Sequence, residues 1–312
     1  MMREREVIAR LQRIATAPEA RGLTDDVAVL DGLVITHDSI AEGVHFLSFD
    51  PPASVGWKLV AVNLSDLAAK GAEPRAALLS LTISGDGEWE EGFLDGVEAA
   101  CKTYGLALIG GDTITLPVGA PRVLGLTAIG MAPAHVPHRS GGRAGDVLWL
   151  VGTLGDSAAG LLQLQADRHA LGTLVDSYRH PIPQLEAGRT LARHANATMD
   201  VSDGLLLDAL RIAEASQCSV TIALDSLPLS QAYVQAQGDD IDGRLLAASA
   251  GDDYALLAAL PASIDAASLD FPTRTIVTRI GELGDGPAAI AATMNGKPVD
   301  LPARLGFEHC GG

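Results

Sequence analysis

Short apolar strands and longer amphipathic helices alternate along most of this chain, and that alternation favours an α/β fold over an all-helical one. The opening residues, MMREREVIARLQRIA, have the spacing of an amphipathic helix, with Ile8, Leu11 and Ile14 on one face. Strands VAVL (27–30) and LVIT (33–36) are predicted on either side of Asp31-Gly32, a dipeptide that favours a tight hairpin. A helix over 54–70, with Val60, Leu64 and Leu67 as its apolar stripe, stops at Gly71 ahead of Pro74. A strand (76–83), a helix (88–104), a strand LALI ending in Gly110-Gly111-Asp112 and a strand VLGLTAIGMA closing near Ala132 complete the first half. The second half opens with a strand DVLWLVG and a turn GTLGDSAAG into a helix. Helices near 184–194 and 204–216 flank a strand ending at Asp200, and a strand DYALLAAL follows Gly251. Beyond it the pattern carries little that can be read.

At 312 residues the chain suits two domains better than one core. The segment APAHVPHRSGGRAG (132–145) is rich in Pro, Gly and polar residues and is the expected boundary, separating a domain 1–138 from a domain 139–312.

Basic residues number 22 against 39 acidic ones, a net charge of −17 with His neutral. No Lys/Arg-rich face is present, so nucleic acid is excluded as a partner. A chain this acidic binds phosphates only with metal ions, helix N-termini or backbone N–H groups to offset repulsion. Cys101, Cys218 and Cys310 stand far apart without CxxC spacing, which fits a reducing cytosol rather than a disulfide framework or zinc site. The N-terminus lacks an apolar signal-peptide centre and no run of apolar residues is long enough to span a bilayer, so a cytoplasmic protein without membrane contact is expected.

The aspartates carry the functional signal. Asp25 and Asp26 precede a predicted strand, Asp38 follows one, and Asp112 and Asp200 end two others. Asp203 opens the helix behind Asp200, and Asp66 shares a helix with Asn63 and Lys70, beside the apolar stripe. Any one of these has an ordinary role as a turn residue or a dipole partner. Together they place carboxylates outside strand ends, where α/β proteins bind ligands, and magnesium takes such oxygen ligands along with substrate phosphates. The two glycines before Asp112 permit a close approach of backbone to phosphate, or simply a tight strand-exit turn. Ser202 is either a helix N-cap or a ligand contact. P-loop, GxGxxG, HExxH and GxSxG patterns are all absent, so ATP, if bound, is bound by another design.

In order along the chain, TDDVAVL (24–30), THDSIAEGVHF (36–46), AVNLSDLAAKGAEP (61–74), LIGGDT (108–113), RSGGRAGD (139–146), GTLGDSAAGL (152–161), DVSDGL (200–205) and GDDYALL (251–257) resemble the thiamine-monophosphate kinase family. Its superfamily also holds aminoimidazole ribonucleotide synthetase, selenophosphate synthetase and a hydrogenase maturation protein; the EGVHF and GDDY segments point to the thiamine branch. The resemblance implies a two-domain α/β (α+β) architecture. It implies an N-terminal mixed sheet that pairs across a homodimer and a C-terminal α/β domain that completes the active site. It implies ATP as phosphoryl donor, thiamine monophosphate as acceptor and several Mg2+ ions. Carried over by motif, Asp26, Thr36, His37, Asp38, Asp66, Asp112, Asp200 and Asp203 contact metal. Tyr104, Gly111, Asp112, Arg139 and Ser202 contact ATP, and His45, Asp252 and Phe307 contact the thiamine phosphate. No general base is assigned, because the attacking phosphate oxygen is already ionised. Three positions depart from the family: Thr24 replaces a usual Gly, His37 a usual Thr, and Asp252 a usual Glu. These leave two alternatives, another ATP-using enzyme of the superfamily and a non-catalytic thiamine phosphate or nucleotide sensor.

Overall fold

Asp31 and Gly32 turn the chain with φ of 49° and 79°, the left-handed pair a two-residue hairpin needs, and set Leu30 opposite Leu33. The computed structural model describes residues 4–308, so the first three residues and Cys310 lie outside the described residues. Cys101 and Cys218 are free thiols.

The first half runs α1 (Glu4–Gln12), β1 (Ala28–Leu30), β2 (Leu33–Ala41), α2 (Pro52–Ala69), β3 (Glu73–Ile83), α3 (Gly87–Tyr104), β4 (Ala107–Thr115) and β5 (Val123–Met131). Its strands form one mixed sheet in the order β1-β2-β5-β3-β4, in which only β3 and β4 run parallel, joined by α3 as crossover. Side chains alternate across it: Ala77 and Leu79 of β3 face the helices, while Leu78 and Ser80 lie on the open face. α1 ends before Ile14, and Ile8, Leu11 and Ile14 are all exposed.

α2 and α3 cross at bare backbone. A Cβ on Gly96 would stand 1.9 Å from the Ala53 carbonyl oxygen, and one on Gly56 2.1 Å from that of Phe93. Gly96→Ala is therefore expected to force the helices apart, costing about 2 kcal/mol and lowering Tm by roughly 5 °C. Gly87→Ala, where an added Cβ meets nothing within 4 Å, should leave it unchanged. Thermal melts of both variants check this.

The second half contains β6 (Val147–Val151), α4 (Asp156–Ala166), α5 (Thr173–Arg179), α6 (Leu185–Ala192), β7 (Ala197–Val201), α7 (Leu205–Ser216) and β8 (Ser219–Ala223). It continues through α8 (Gln231–Gln237), α9 (Ile241–Ser249), β9 (Ala255–Leu260), β10 (Val277–Gly284), β11 (Ala289–Met294) and β12 (Lys297–Val299). The sheet order is β12-β11-β8-β10-β6-β9-β7, with only the β11–β8 pair parallel. Every residue of β6, β7 and β9 is buried, because helices cover both faces. One core joins Leu148, Met199 and Leu257 to α7, while the other joins Trp149, Val151 and Leu256 to Ala68 and Ala69 of α2. α2 thus packs on its own sheet with one side and on the second half with another, and it is buried nearly all round.

Three local expectations need correction. β2 continues past Thr36 to Ala41, pairing with β5 at every position, so Asp38 lies inside a strand. β4 runs on through Gly110, Gly111 and Asp112 to Thr115, so the two glycines make no strand exit. The N-cap of α7 is Gly204, without a side-chain cap bond, and Ser202 lies upstream of it. No helix among the described residues is long and apolar enough to cross a membrane.

Candidate active site

Because α2 is buried on nearly every side, each of its few polar side chains must find a partner. Asn63 donates to the Leu59 carbonyl at 2.9 Å and accepts from the Asp38 N–H at 2.8 Å, fixing β2 against the helix. Asp66 accepts from the Thr36 hydroxyl, and the Ser65 hydroxyl donates to Asp200 on β7 at 2.7 Å. Lys70, at the C-cap of α2, holds Asp25 at 2.6 Å and Asp26 at 2.8 Å. It also donates to the Thr198 carbonyl of β7 at 2.8 Å. One helix therefore draws carboxylates from both halves of the chain to one point.

At that point Asp26, Asp66 and Asp200 each offer an oxygen, and all three oxygens lie within 4.8 Å of one another. Oxygen-only donors at such mutual distances fit a hard divalent cation such as Mg2+. Electrostatics divides the group. Burial works to raise Asp26, but Arg139 and Lys70 override it and hold that carboxyl well below the usual range. Asp66 and Asp200 are pushed well above it, by burial first and then by neighbouring carboxylates. Burial, followed by the charge of Asp26, raises Asp38 to about 6.

A carboxyl whose folded pKa is raised stabilises the fold fully below its unfolded value, here 3.8, and loses that contribution as pH rises through the folded value, about 6 for Asp38. Asp66 and Asp200 act in the same direction, whereas depressed Asp26 stays ionised and constant across this window. The metal-free protein is expected to melt lower at pH 8 than at pH 6, and Mg2+ to raise Tm more at pH 8. Melting curves in chelator and in Mg2+ at both pH values check this; an equal Mg2+ effect at both would contradict it.

Beside the carboxylates opens a cavity of about 550 Å3 whose walls include Asp38, His45, Ser202, Asp203, Asp252 and Phe307. Asp203 is paired with Arg211 at 2.6 Å, and Arg211 also holds buried Asp208 at 2.8 Å. The Phe307 N–H donates to the Asp203 carbonyl at 2.8 Å, bringing the C-terminal stretch onto the cavity rim. Asp252 and Tyr254 have φ of 74° and 53°, strained for non-glycine residues, and the Asp252 N–H is tied to the Ser202 carbonyl at 2.7 Å.

Of the residues singled out in the sequence, Asp26, Thr36, Asp66 and Asp200 meet directly, with Arg139 ion-paired to Asp26. Asp38, Asp203, Ser202, His45, Asp252 and Phe307 gather around the adjoining cavity. Others stand apart within one chain. The His37 side chain points to the open face of the sheet, bonded to Thr127 at 2.9 Å. Gly111 and Asp112 lie on the exposed edge strand β4, where a Cβ on Gly111 would stand 1.9 Å from the Leu79 carbonyl oxygen. Tyr104 packs on Trp57 with ring centroids 5.6 Å apart, and burial pushes its hydroxyl up to about 12.

Sequence reasoning missed Lys58, Ser157 and Tyr178. Lys58, with a side chain only 2% exposed, pairs with Asp252 and lies 4.0 Å over the Tyr178 ring. Ser157 donates to the same Asp252 oxygen at 3.0 Å. A lysine inside an otherwise apolar helix was the available signal, since it demands a buried anion.

The two mixed sheets, the helix shared between them and the carboxylates at their junction define an AIR synthase-related protein. Family models described as AIR synthase related protein match over residues 24–132 for the N-terminal domain and 143–291 for the C-terminal domain. The thiamine-monophosphate kinase of Caulobacter vibrioides is 38% identical over 322 aligned positions, covering 97% of this chain and 89% of that protein. Within the wider family, this chain belongs to the thiamine-monophosphate kinases. A solved structure described as AaThiL complexed with AMPPCP and TMP superposes with a TM-score of 0.85 at 29% identity, over 98% of this chain and 97% of that one. The thiamine-monophosphate kinase of Stenotrophomonas maltophilia K279a superposes with a TM-score of 0.75 at 34% identity, over 94% and 96% of the two chains.

Proposed function

We propose that this protein transfers the γ-phosphoryl group of ATP directly to the phosphate of thiamine monophosphate, giving thiamine diphosphate and ADP. The observation that carries this reading is the carboxylate group of Asp26, Asp66 and Asp200 beside a cavity shaped by Asp38, His45 and Asp252. The kinase relatives and the AaThiL complex with AMPPCP, an ATP analogue, and TMP support the choice of substrates.

Both reactants are anions, so the chain's task is to bring two phosphates together. When bound, Mg2+ neutralises the phosphates and stabilises charge on the transferring group. Asp26, Asp38, Asp66, Asp200 and Asp203 would hold the ions, with Thr36 and the backbone of His37 beside them. Tyr104, Gly111, Asp112, Arg139 and Ser202 would contact the nucleotide. His45, Asp252 and Phe307 would orient the thiamine phosphate, whose cationic thiazolium suits a cavity edged by carboxylates. The attacking phosphate oxygen forms its bond to the γ-phosphorus as the bond to ADP breaks, and ADP leaves with the electron pair. No side chain need remove a proton.

A homodimer in the cytoplasm, built from domains 1–138 and 139–312, completes the proposal. The edge strand β4 supports it, since Leu108, Ile109 and Ile114 are exposed there. Two strands separate β4 from β2, placing Asp112 roughly 14 Å from Asp38 along the sheet. Pairing with a second copy is therefore the proposed route by which an Asp112 reaches the centre.

The test is to incubate protein, ATP, Mg2+ and thiamine monophosphate and to separate the products by chromatography. Equimolar thiamine diphosphate and ADP, lost on adding chelator, is the expected result. Binding of both ligands without product would favour a sensor, and failure to bind thiamine monophosphate would favour another substrate of the superfamily.

A further inference from the structure

We infer that the ammonium group of Lys70 is a built-in cation of the carboxylate centre, permanently filling a position between Asp25 and Asp26 that an ion would otherwise take. The inference rests on the metal-binding reading of Asp26, Asp66 and Asp200.

The Lys70 ammonium lies 2.6 Å from Asp25 Oδ1 and 2.8 Å from Asp26 Oδ2 as an ion pair with both carboxylates, and it donates a hydrogen bond to the Thr198 carbonyl at 2.8 Å. The Lys70 side chain is fully buried, so water supplies none of this shell. Two carboxylates and a carbonyl converging on one enclosed positive charge form a cation site whose cation is covalently part of the chain.

The rest of the centre divides accordingly. Asp25 is also paired with Arg21, and Asp26 with Arg139, so protein cations already balance this side. Asp66 and Asp200 receive only hydroxyl donors, from Thr36 and Ser65, and among the described residues neither they nor Asp38 forms an ion pair. Divalent ions accordingly enter between Asp26, Asp66 and Asp200, with Asp38 alongside, and the position between Asp25 and Asp26 needs none. Lys70 also fastens the two halves, because its bond to Thr198 is matched by the Thr198 hydroxyl bonding to the Ala69 carbonyl. The relative placement of Asp26 and Asp200 is thus set before any metal binds.

The test counts bound Mn2+ by electron paramagnetic resonance, reading the free-ion signal during titration of the wild type and of Lys70→Met, a nearly isosteric neutral variant. The variant is expected to bind one more Mn2+ per chain than the wild type. Its metal-free Tm should be lower by roughly 5–10 °C, with the deficit removed by Mn2+. An unchanged count overturns the inference whatever happens to Tm, because an ordinary buried ion pair would alter stability alone. Asp25→Asn, with Lys70 in place, decides the matter if the first variant does not fold. Its Mn2+ count should equal that of the wild type, and one ion fewer would make Asp25 a metal ligand and overturn the inference. A wild type that binds no Mn2+ fails the metal reading first, and this inference with it.

Discussion

Asp66→Asn is expected to lower turnover by a factor on the order of 10³ while raising the melting temperature of the metal-free protein at pH 8. The two effects have one cause. Asp66 is buried at the meeting point of the two halves with no cation paired to it among the described residues, and burial and its neighbours push its carboxyl well up. Ionising it without metal therefore costs stability, and an amide of the same shape removes that cost. Asn can still accept the Thr36 hydroxyl bond, so the local packing survives. It cannot supply the anionic oxygen that, with Asp26 and Asp200, would hold the ion. Steady-state kinetics at saturating Mg2+ and melts in chelator read the two effects separately. A near-normal rate, or a metal-free protein that melts lower than the wild type, would contradict the assignment.

Asp252→Asn should have the second largest effect, on binding and on stability together. The Asp252 carboxylate is the only anion ion-paired with buried Lys58 among the described residues, and it also accepts from Ser157. The amide leaves an ammonium stranded over the Tyr178 ring, a loss of about 3 kcal/mol and roughly 5 °C in Tm. The KM for thiamine monophosphate should rise about 10–100-fold, with little change for ATP. Lys58→Met in the same chain removes the stranded charge, so the double variant should regain most of the lost stability yet keep the high KM. Recovery of both together would mean that Asp252 acts only through packing.

The fold was legible where local chemistry and long-range pairing agree. Asp31-Gly32 announced the hairpin, and the strands at 76–83 and 123–132 were found because β3 and β5 are apolar stretches within a sheet. Strand ends are not legible where pairing overrides composition. Asp38 and Ser39 are polar, yet β2 continues through them because β5 offers a partner at each position. Gly110 and Gly111 resemble a turn, but the register between β3 and β4 shifts just before them and the strand continues. In the C-terminal part, β10 lies in the middle of the second sheet although its sequence, VTRIGELG, resembles a loop. A Cβ on Gly281 would stand 2.1 Å from the Thr221 carbonyl oxygen, so close packing with β8 rather than local propensity explains that glycine.

The site followed the same division. Motifs named the carboxylates residue by residue, but no pattern could show that Asp26, Asp66 and Asp200, from three separate segments, would converge within 4.8 Å. The sequence of α2 shows one apolar stripe, yet the helix is buried nearly all round, which conceals Lys58 and the full role of Lys70. A helix with so little exposed surface turns every polar residue into half of a pair, and the other halves lie 194 residues away for Lys58 and across the domain junction for Lys70. The strain at Asp252 and Tyr254 was likewise invisible, since it comes from backbone bonds to β7 and the segment after it.

The most direct test of the metal-binding reading is the anomalous scattering of manganese in crystals grown with Mn2+, AMPPCP and thiamine monophosphate. Manganese bound by Asp26, Asp66 and Asp200 is the expected result, with the acceptor phosphate reaching it from the cavity that His45 and Asp252 line. Nucleotide and thiamine monophosphate bound with no manganese at those three carboxylates would contradict it.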